Sequence, residues 1–538
     1  MRAFCLTAWL LAAAPAGAAQ PSPPPRIVVL LVVDQLPVRL YDRILHVAPP
    51  GGLRRLAEGG ANLTGRYGHA NTSTAPGHAL IATGADAGRS GIVGNSWWSR
   101  EAWRKMYAAE DAGFSVLGRP PASHDGTSPR NLRLPGLGDV LRAASYGRAR
   151  IVSMSWKDRC AILLGGQRPS AALWFDIPLG GFVTSTYYAQ TLPAWVARAN
   201  AARPAQRMLG RAWTPLLGLR ELALLGGPDD APGEGDYEGM GVAFPHPVRS
   251  LRALGASPLA NQLLAALAED ALIGEGMGTD AVPDLLAVSF SAGDFVGHVF
   301  GPDSREATDL LAQLDRLIAH LLSTLDRRVG AGRYTVVLTS DHGCAPLPEQ
   351  AATARLLPGV QAPVRMPPDA QIAALVAQAV GTGWRTAFEH PHLYLDAPAG
   401  GGRARLGEAL SIARKTLLAL PGVERVLGPG ELAHPADDIA RAVRASWDPE
   451  RAGDLYVVLT PGSVYEEEMV VGKGTGHGSP RIFDQEVPLV LYGARVRPAA
   501  RPAEPVAEEA LAATLAALMD VPPPPGAERP ALEQVLAR

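Results

Sequence analysis

Arg26-Ile27-Val28-Val29-Leu30-Leu31-Val32-Val33-Asp34 is an unbroken apolar run, largely β-branched, that ends in an acid. A strand with one wet face alternates apolar and polar residues. A run without alternation reads as a strand buried on both faces, hence as part of a parallel sheet. The pattern recurs. Ala149–Ser155 stops just before Lys157, Asp284–Phe290 just before Asp294, and Tyr334–Ser340 at Asp341-His342. Leu455–Leu459 and Val487–Tyr492 are two more runs of this kind. Between them, Glu306–Asp326 repeats leucine at helical spacing, and Asn261–Leu272 and Glu508–Met519 behave similarly. Strands alternating with helices predict an α/β fold, a mostly parallel central sheet covered by helices on both faces.

In such sheets, sites lie outside the carboxyl ends of the strands. Asp34, Lys157, Asp294 and Asp341 all follow strand ends and are expected on one rim. A single acid there is most often a turn or cap residue; four together point to a site. A candidate nucleophile sits in Asn71-Thr72-Ser73-Thr74-Ala75-Pro76-Gly77-His78-Ala79, ahead of Leu80-Ile81-Ala82-Thr83-Gly84. Pro76-Gly77 and the apolar run after it can start a helix, since proline loses no hydrogen bond in the first turn. A helix N-terminus offers N–H groups to an anion, so a Thr74 hydroxyl there is placed to attack phosphorus.

Further residues have metal-ligand character. Asp294 and His298 stand four apart and share one face if their segment is helical. Asp341 and His342 are adjacent at a strand end, His477 lies in Gly474-Thr475-Gly476-His477-Gly478, and Asp34 adds a carboxylate. Mixed Asp and His donors suit zinc, and two zinc ions can clamp the attacking and leaving oxygens of an in-line displacement. His78, close to Thr74, is expected to support the ligands rather than be one. Gly472-Lys473 is not a phosphate-binding P-loop, because no glycine precedes it by five residues and no Ser or Thr follows the lysine.

The chain has 538 residues, enough for one large α/β unit with insertions. A net charge of -2 and the lack of any basic run argue against a nucleic-acid binder. Residues 1–19 hold one arginine, an apolar core and Ala16-Gly17-Ala18, the pattern of a cleaved secretory signal peptide too short to span a membrane. No later stretch reaches spanning length without charge or proline. The expected product is therefore exported, periplasmic or secreted, with no membrane span. Cys5 leaves with the signal. Cys160 and Cys344 remain, each beside candidate site residues, and an oxidising compartment would permit them to pair. Residues from about 165 to 255 and from about 346 to 450 break the strand–helix alternation and read as insertions covering the rim, with an apolar stretch at His392–Leu395 in the second.

Taken together, Val33-Asp34, Thr74-Ala75-Pro76-Gly77-His78, Gly91-Ile92-Val93-Gly94-Asn95-Ser96-Trp97-Trp98, Lys157-Asp158-Arg159, Asp294 with His298, Ser340-Asp341-His342-Gly343 and Gly476-His477-Gly478 resemble the alkaline phosphatase superfamily. The resemblance lies in its type I phosphodiesterase/nucleotide pyrophosphatase-like branch, and is greatest to bacterial phosphate-irrepressible alkaline phosphatases with a threonine nucleophile. It runs from residue 26 to about 495, so residues 20–538 are expected to form one catalytic domain. It implies that Asp34, Asp341 and His342 hold one zinc with Thr74, and that Asp294, His298 and His477 hold the other. It also implies that Asn95, Lys157 and Arg159 contact the phosphoryl oxygens. The lysine–arginine pair is typical of the monoesterases in this branch. The implied function is hydrolysis of small-molecule phosphate monoesters through a phosphothreonine, by a chain expected to be monomeric. Two alternatives remain at this level: a phosphodiesterase or nucleotide pyrophosphatase on the same core, and an exported metal-binding protein without activity. A sulfatase is disfavoured, because its nucleophile is Cys or Ser followed by an arginine.

Overall fold

The computed structural model describes residues 23–353, 364–397, 405–465 and 469–537. The expected signal segment at 1–19, with Cys5, lies outside the described residues. Among the described residues no helix is long and apolar enough to cross a membrane.

The central sheet has nine strands, in the order Val506–Ala507, Ala61–Arg66, Glu486–Gly493, Tyr334–Thr339, Ile27–Val33, Asp284–Phe290, Ile151–Ser155, Ala171–Asp176 and Gly181–Val183. The five strands from Tyr334–Thr339 through Ala171–Asp176 run parallel. Glu486–Gly493 and Gly181–Val183 pair antiparallel to their neighbours in this parallel block. Alternate residues of Ile27–Val33 feed two different cores. Ile27, Val29, Leu31 and Val33 pack with residues of the helices Pro258–Gly274 and Arg305–Leu325. Val28, Leu30 and Val32 pack with residues of Leu137–Ala144 and Ala510–Leu518. Both faces are dry, which is why the run shows no alternation.

The register sets the site. Val33 is level with Phe290, Val32 with Thr339, and Ser289 with Ser155. The chain therefore leaves all four strands at one edge, and Asp34, Lys157, Asp294 and Asp341 emerge within a few residues of it.

Two stretches differ from their sequence reading. Leu455–Leu459 is not in the central sheet. It joins Arg385–Glu389, His392–Asp396 and Val423–Leu427 in a separate four-stranded antiparallel sheet backed by the helices Asp369–Val380 and Leu406–Leu418. This cap thus extends past residue 450 to include the strand that looked like a core strand. The stretch from about 165 begins with Ala171–Asp176 and Gly181–Val183, which extend the central sheet. An apolar run of five or six residues fixes burial but does not name its partner strand.

The helix Thr74–Thr83 is buried along its whole length. It lies against the chain at Asp341 so closely that a Cβ at Gly77 would stand 2.1 Å from the Asp341 carbonyl oxygen and 2.8 Å from the Asp341 Cβ. Gly77→Ala must push the helix or Asp341 aside and is expected to destabilise the protein by about 1–3 kcal/mol. Gly407→Ala is the control: its Cβ meets nothing within 4 Å, on a helix where alanine is favoured. Urea unfolding of both variants checks this. Equal midpoints would show that the helix does not bear on Asp341.

Candidate active site

Thr74 is the first residue of its helix, with Ser73 as N-cap. The helix end is less open to an anion than its sequence suggested. Pro76 has no N–H, and the Ala75 N–H donates to Asn95 Oδ1 at 2.8 Å. Among the described residues, the first three helix positions thus keep only the Thr74 N–H unspent. The same bond orients Asn95. Its oxygen is taken, so its NH₂ end is the part left for another acceptor. An arginine compensates: Arg159 Nη2 donates to Thr74 Oγ1 at 3.4 Å. Arg159 is held from its far side by Tyr107, whose hydroxyl accepts from Arg159 Nη1 at 3.4 Å and donates to Asp158.

Beneath Thr74 lies a cluster of buried acids and histidines. Lys157 Nζ bridges Asp34 Oδ2 at 2.7 Å and Asp294 Oδ2 at 2.5 Å. Asp294 Oδ1 lies 3.2 Å from His298 Nε2 and 3.4 Å from His477 Nε2. His342 Nε2 lies 3.5 Å from both Asp34 Oδ1 and Asp341 Oδ2. The rings of His342 and His477 stack at 3.6 Å between centroids. All the residues expected to form the site from the sequence therefore converge.

Each histidine is fixed from behind. Nδ1 of His298 donates to the Thr475 carbonyl at 2.8 Å, that of His342 to Gly343 at 2.9 Å, and that of His477 to Thr72 at 2.8 Å. A neutral imidazole has one N–H, so in the neutral form each ring, held in this tautomer, has its Nε2 lone pair toward the cluster. Those lone pairs face carboxylate oxygens, acceptor against acceptor. Asp34 Oδ1, Asp341 Oδ2 and His342 Nε2 are buried with no hydrogen-bond partner among the described residues. A backbone carbonyl behind each ring and a carboxylate in front is the arrangement of histidines that bind a metal. Ligand atoms of Asp294, His298 and His477 lie within 4.8 Å of one another, as do those of Asp34, Asp294 and His342. Asp294 is thus central to both groups, which the sequence did not indicate. The oxygen and imidazole donors fit divalent zinc.

The electrostatics follow from burial. Asp34 has its pKa raised well above the usual range by burial and then by Asp341, which Lys157 only partly offsets. Burial also opposes ionisation of Asp294, but Lys157 and His298 outweigh it and hold the carboxyl well below normal. Asp341 is likewise depressed against burial by the neighbouring histidines His342 and His78, and of the two it is His78, itself raised well above normal, that carries the positive charge. His342 is pushed down to about 3, chiefly by burial, so its imidazole is neutral and able to act as a ligand. Lys157 loses by burial yet is raised overall by Asp294 and Asp34, and stays charged.

Several residues in the site were not read from the sequence. Gln35, at a left-handed φ of 63°, donates its backbone N–H to Asp341 Oδ1 and its Nε2 to Asp294 Oδ1, both at 3.2 Å. Its position next to Asp34 was the one signal available. Tyr107 carried none. His78 meets its expectation as a support: its Nε2 reaches Ser289 Oγ at 2.8 Å and its Nδ1 lies 3.2 Å from Asp341 Oδ2. Cys160 and Cys344 are both buried and free.

Above the cluster opens a cavity of about 1350 Å³, lined at its floor by Thr74, Asn95, Lys157, Arg159, His298 and His477. Its walls come from the Ser96–Tyr107 hairpin and from the four-stranded cap.

Comparison with known proteins matches residues 28–479 to type I phosphodiesterase / nucleotide pyrophosphatase. Alkaline phosphatase PafA of Elizabethkingia meningoseptica is 28% identical over 537 residues, covering 96% of this chain and 95% of that protein. Alkaline phosphatase PhoV of Synechococcus elongatus is 28% identical over 515 residues, covering 93% and 91%. Alkaline phosphatase PhoK of a Sphingomonas species is 30% identical over 502 residues, covering 87% and 84%. The crystal structure of PafA superimposes with a TM-score of 0.86 over 96% of this chain and 99% of that one. With a family match over most of its length, a shared fold and a converging site, the chain belongs to the type I phosphodiesterase/nucleotide pyrophosphatase family.

Proposed function

We propose that the chain is a zinc-dependent alkaline phosphatase that hydrolyses small phosphate monoesters through a phosphothreonine at Thr74. The observation that carries this reading is the position of the Thr74 hydroxyl. It accepts a hydrogen bond from the Arg159 guanidinium and lines the same open cavity as Lys157, Asp294, His298 and His477. Asp34, Asp341 and His342 with Thr74 would hold one zinc, and Asp294, His298 and His477 the other. When bound, the ions supply positive charge against the attacking and departing oxygens.

The chain's own residues supply the rest. Thr74 Oγ1 gives up its proton to solvent and forms a bond to phosphorus as the bond to the ester oxygen breaks; that oxygen takes up a proton from solvent and the alcohol leaves. Water then attacks phosphorus, the bond to Oγ1 breaks, and phosphate and free Thr74 result. Asn95 NH₂, Lys157 and Arg159 bind the non-bridging oxygens, where charge must be met in phosphoryl transfer. PafA supports these roles from another side. It has also been solved with substitutions at a threonine, an asparagine, a lysine and an arginine. Thr74, Asn95, Lys157 and Arg159 repeat the spacing of those four residues. The names of the curated relatives favour a monoester over the diester or diphosphate in the family's own name. A non-catalytic role would call for a missing nucleophile or ligand, and none is missing. Export through residues 1–19 to the periplasm or medium, and action as a monomer, belong to the same reading.

Removal of metal by a chelator should abolish hydrolysis of 4-nitrophenyl phosphate, and added zinc should restore it. Full activity after exhaustive chelation would rule out the metal-dependent reading.

Thr74→Ala should lose the covalent intermediate and most of the rate, while Thr74→Ser, which keeps a hydroxyl, should retain substantial activity. Labelled phosphate trapped on the Thr74→Ala protein in acid-quenched reactions would refute the nucleophile.

A monoester dianion offers three non-bridging oxygens and a diester two. The ammonium and the forked guanidinium together favour the dianion. Lys157→Ala with Arg159→Ala should slow both substrates, because Lys157 also balances Asp34 and Asp294, but should cost the monoester roughly 2–4 kcal/mol more transition-state stabilisation than the diester. The ratio of the two kcat/KM values reads this directly. Equal loss on both substrates would deny these residues any part in choosing the ester.

A further inference from the structure

The cavity is larger than a phosphoryl group needs. Its volume of about 1350 Å³ exceeds the roughly 300–1,000 Å³ of ordinary ligand pockets. The phosphoryl site accounts for the floor only. The opposite wall is built around Trp98 and Trp103, which meet edge-on at 5.9 Å between ring centroids.

Trp103 is the unusual residue of this wall. It sits at the tip of the hairpin joining Ser96–Ser99 to Arg104–Tyr107, with φ at 47°. A bulky aromatic side chain rarely adopts the left-handed region, and such strain persists only where neighbours impose it. The neighbours are identifiable. The guanidinium of Arg385, from the cap, lies 4.6 Å from the Trp103 ring centroid. Lys105, two residues on, pairs with Glu389 of the same cap strand at 2.8 Å. The hairpin is thus clamped to the cap at two points, and the clamp presents an indole to the cavity.

The charge along this wall is balanced. Arg385 pairs with Asp396, Lys105 with Glu389, and His390 with Asp369 at 3.2 Å. Among the described residues of this wall, each of these cations already has an acidic partner. The helix Asp369–Val380 also lines the cavity, with Ala370, Ala373, Ala374 and Ala377, small side chains that leave room and add no charge. Indoles and small apolar side chains lining one cavity, with the neighbouring charges paired, suit a flat uncharged group.

We propose that this half of the cavity is the subsite for the alcohol portion of the substrate, and that it takes an alcohol carrying a planar ring. The inference rests on the phosphoryl site proposed above, but it concerns binding and can be read without turnover. Trp103 is then a specificity-determining residue: it holds the ring of the leaving group and makes no contact with the phosphoryl group.

The test uses two phosphonates, whose C–P bond resists hydrolysis: 2-naphthylmethylphosphonate and ethylphosphonate. Dissociation constants are measured by calorimetry on the full chain, for the parent protein, Trp103→Gly and Trp103→Phe. Glycine accepts the left-handed backbone without strain, so Trp103→Gly removes the ring and keeps the turn. The parent should bind the naphthyl compound more tightly than the ethyl compound. Trp103→Gly should weaken the naphthyl compound by roughly 3- to 10-fold and leave the ethyl compound unchanged, and Trp103→Phe should restore most of the preference. Equal weakening of both ligands, or none of either, overturns the subsite. A parent protein that does not prefer the naphthyl compound overturns it as well. Absence of phosphomonoesterase activity would instead defeat the proposed reaction and leave the naphthyl preference to be judged on its own.

Discussion

The ammonium of Lys157, buried between Asp34 and Asp294, is the contact on which the rest of the site depends. Three carboxylates, those of Asp34, Asp294 and Asp341, are brought to one edge of the sheet and closed off from water. Burying a carboxylate without a partner is strongly unfavourable. Lys157 places one positive charge between Asp34 and Asp294, and His78, its pKa raised well above normal beside Asp341, places a second; the shortfall falls on Asp34, whose pKa is pushed up. His342, pushed down to about 3 by burial, adds no positive charge. The cluster is therefore short of cations as the chain alone builds it. Such a deficit, on buried carboxylate and imidazole donors, is one that a bound metal cation would relieve.

The parallel register explains how such a deficit is sustained. Four strands end level, and each hands over a chemically active side chain within a few residues of its last ladder bond. The strands have dry cores on both faces, so their ends cannot relax apart to relieve the repulsion. Gln35 holds Asp341 through its backbone N–H and Asp294 through its side-chain amide, and His78 approaches Asp341 at its other oxygen. The strain is spread over a large and well-packed sheet, which is a common way for active sites to be held in place.

Much of this was legible from residue order. A strand buried on both faces has a continuous apolar signature, and an acid at its end marks the rim, so Asp34, Asp294 and Asp341 could be placed on one edge before any coordinates. What was not legible has a common cause. Leu455–Leu459 carries the same signature as a central strand, yet pairs with the cap, because the signature reports burial and not partners. The donors of the Thr74 helix looked free in sequence, but the Ala75 N–H is spent on a side chain twenty residues further along. Tyr107 supports Arg159 through a hairpin that has no chemical motif of its own. Each of these is a tertiary contact, and no local pattern encodes it.

The two halves of the cavity come from different parts of the chain, and this bears on how specificity can change. The floor is made where rigid strands end, and its residues are tied to the core on every side. The wall is made by a hairpin tip clamped to an antiparallel cap, through a cation–ring contact and one ion pair. Substitution at the floor disturbs buried charge and therefore folding as well as chemistry. Substitution in the wall touches partly exposed residues whose loss leaves the acid cluster intact. The sheet thus fixes the reaction, while the hairpin and cap are free to set which alcohol is released, and the latter can vary without unbalancing the charges that hold the site together.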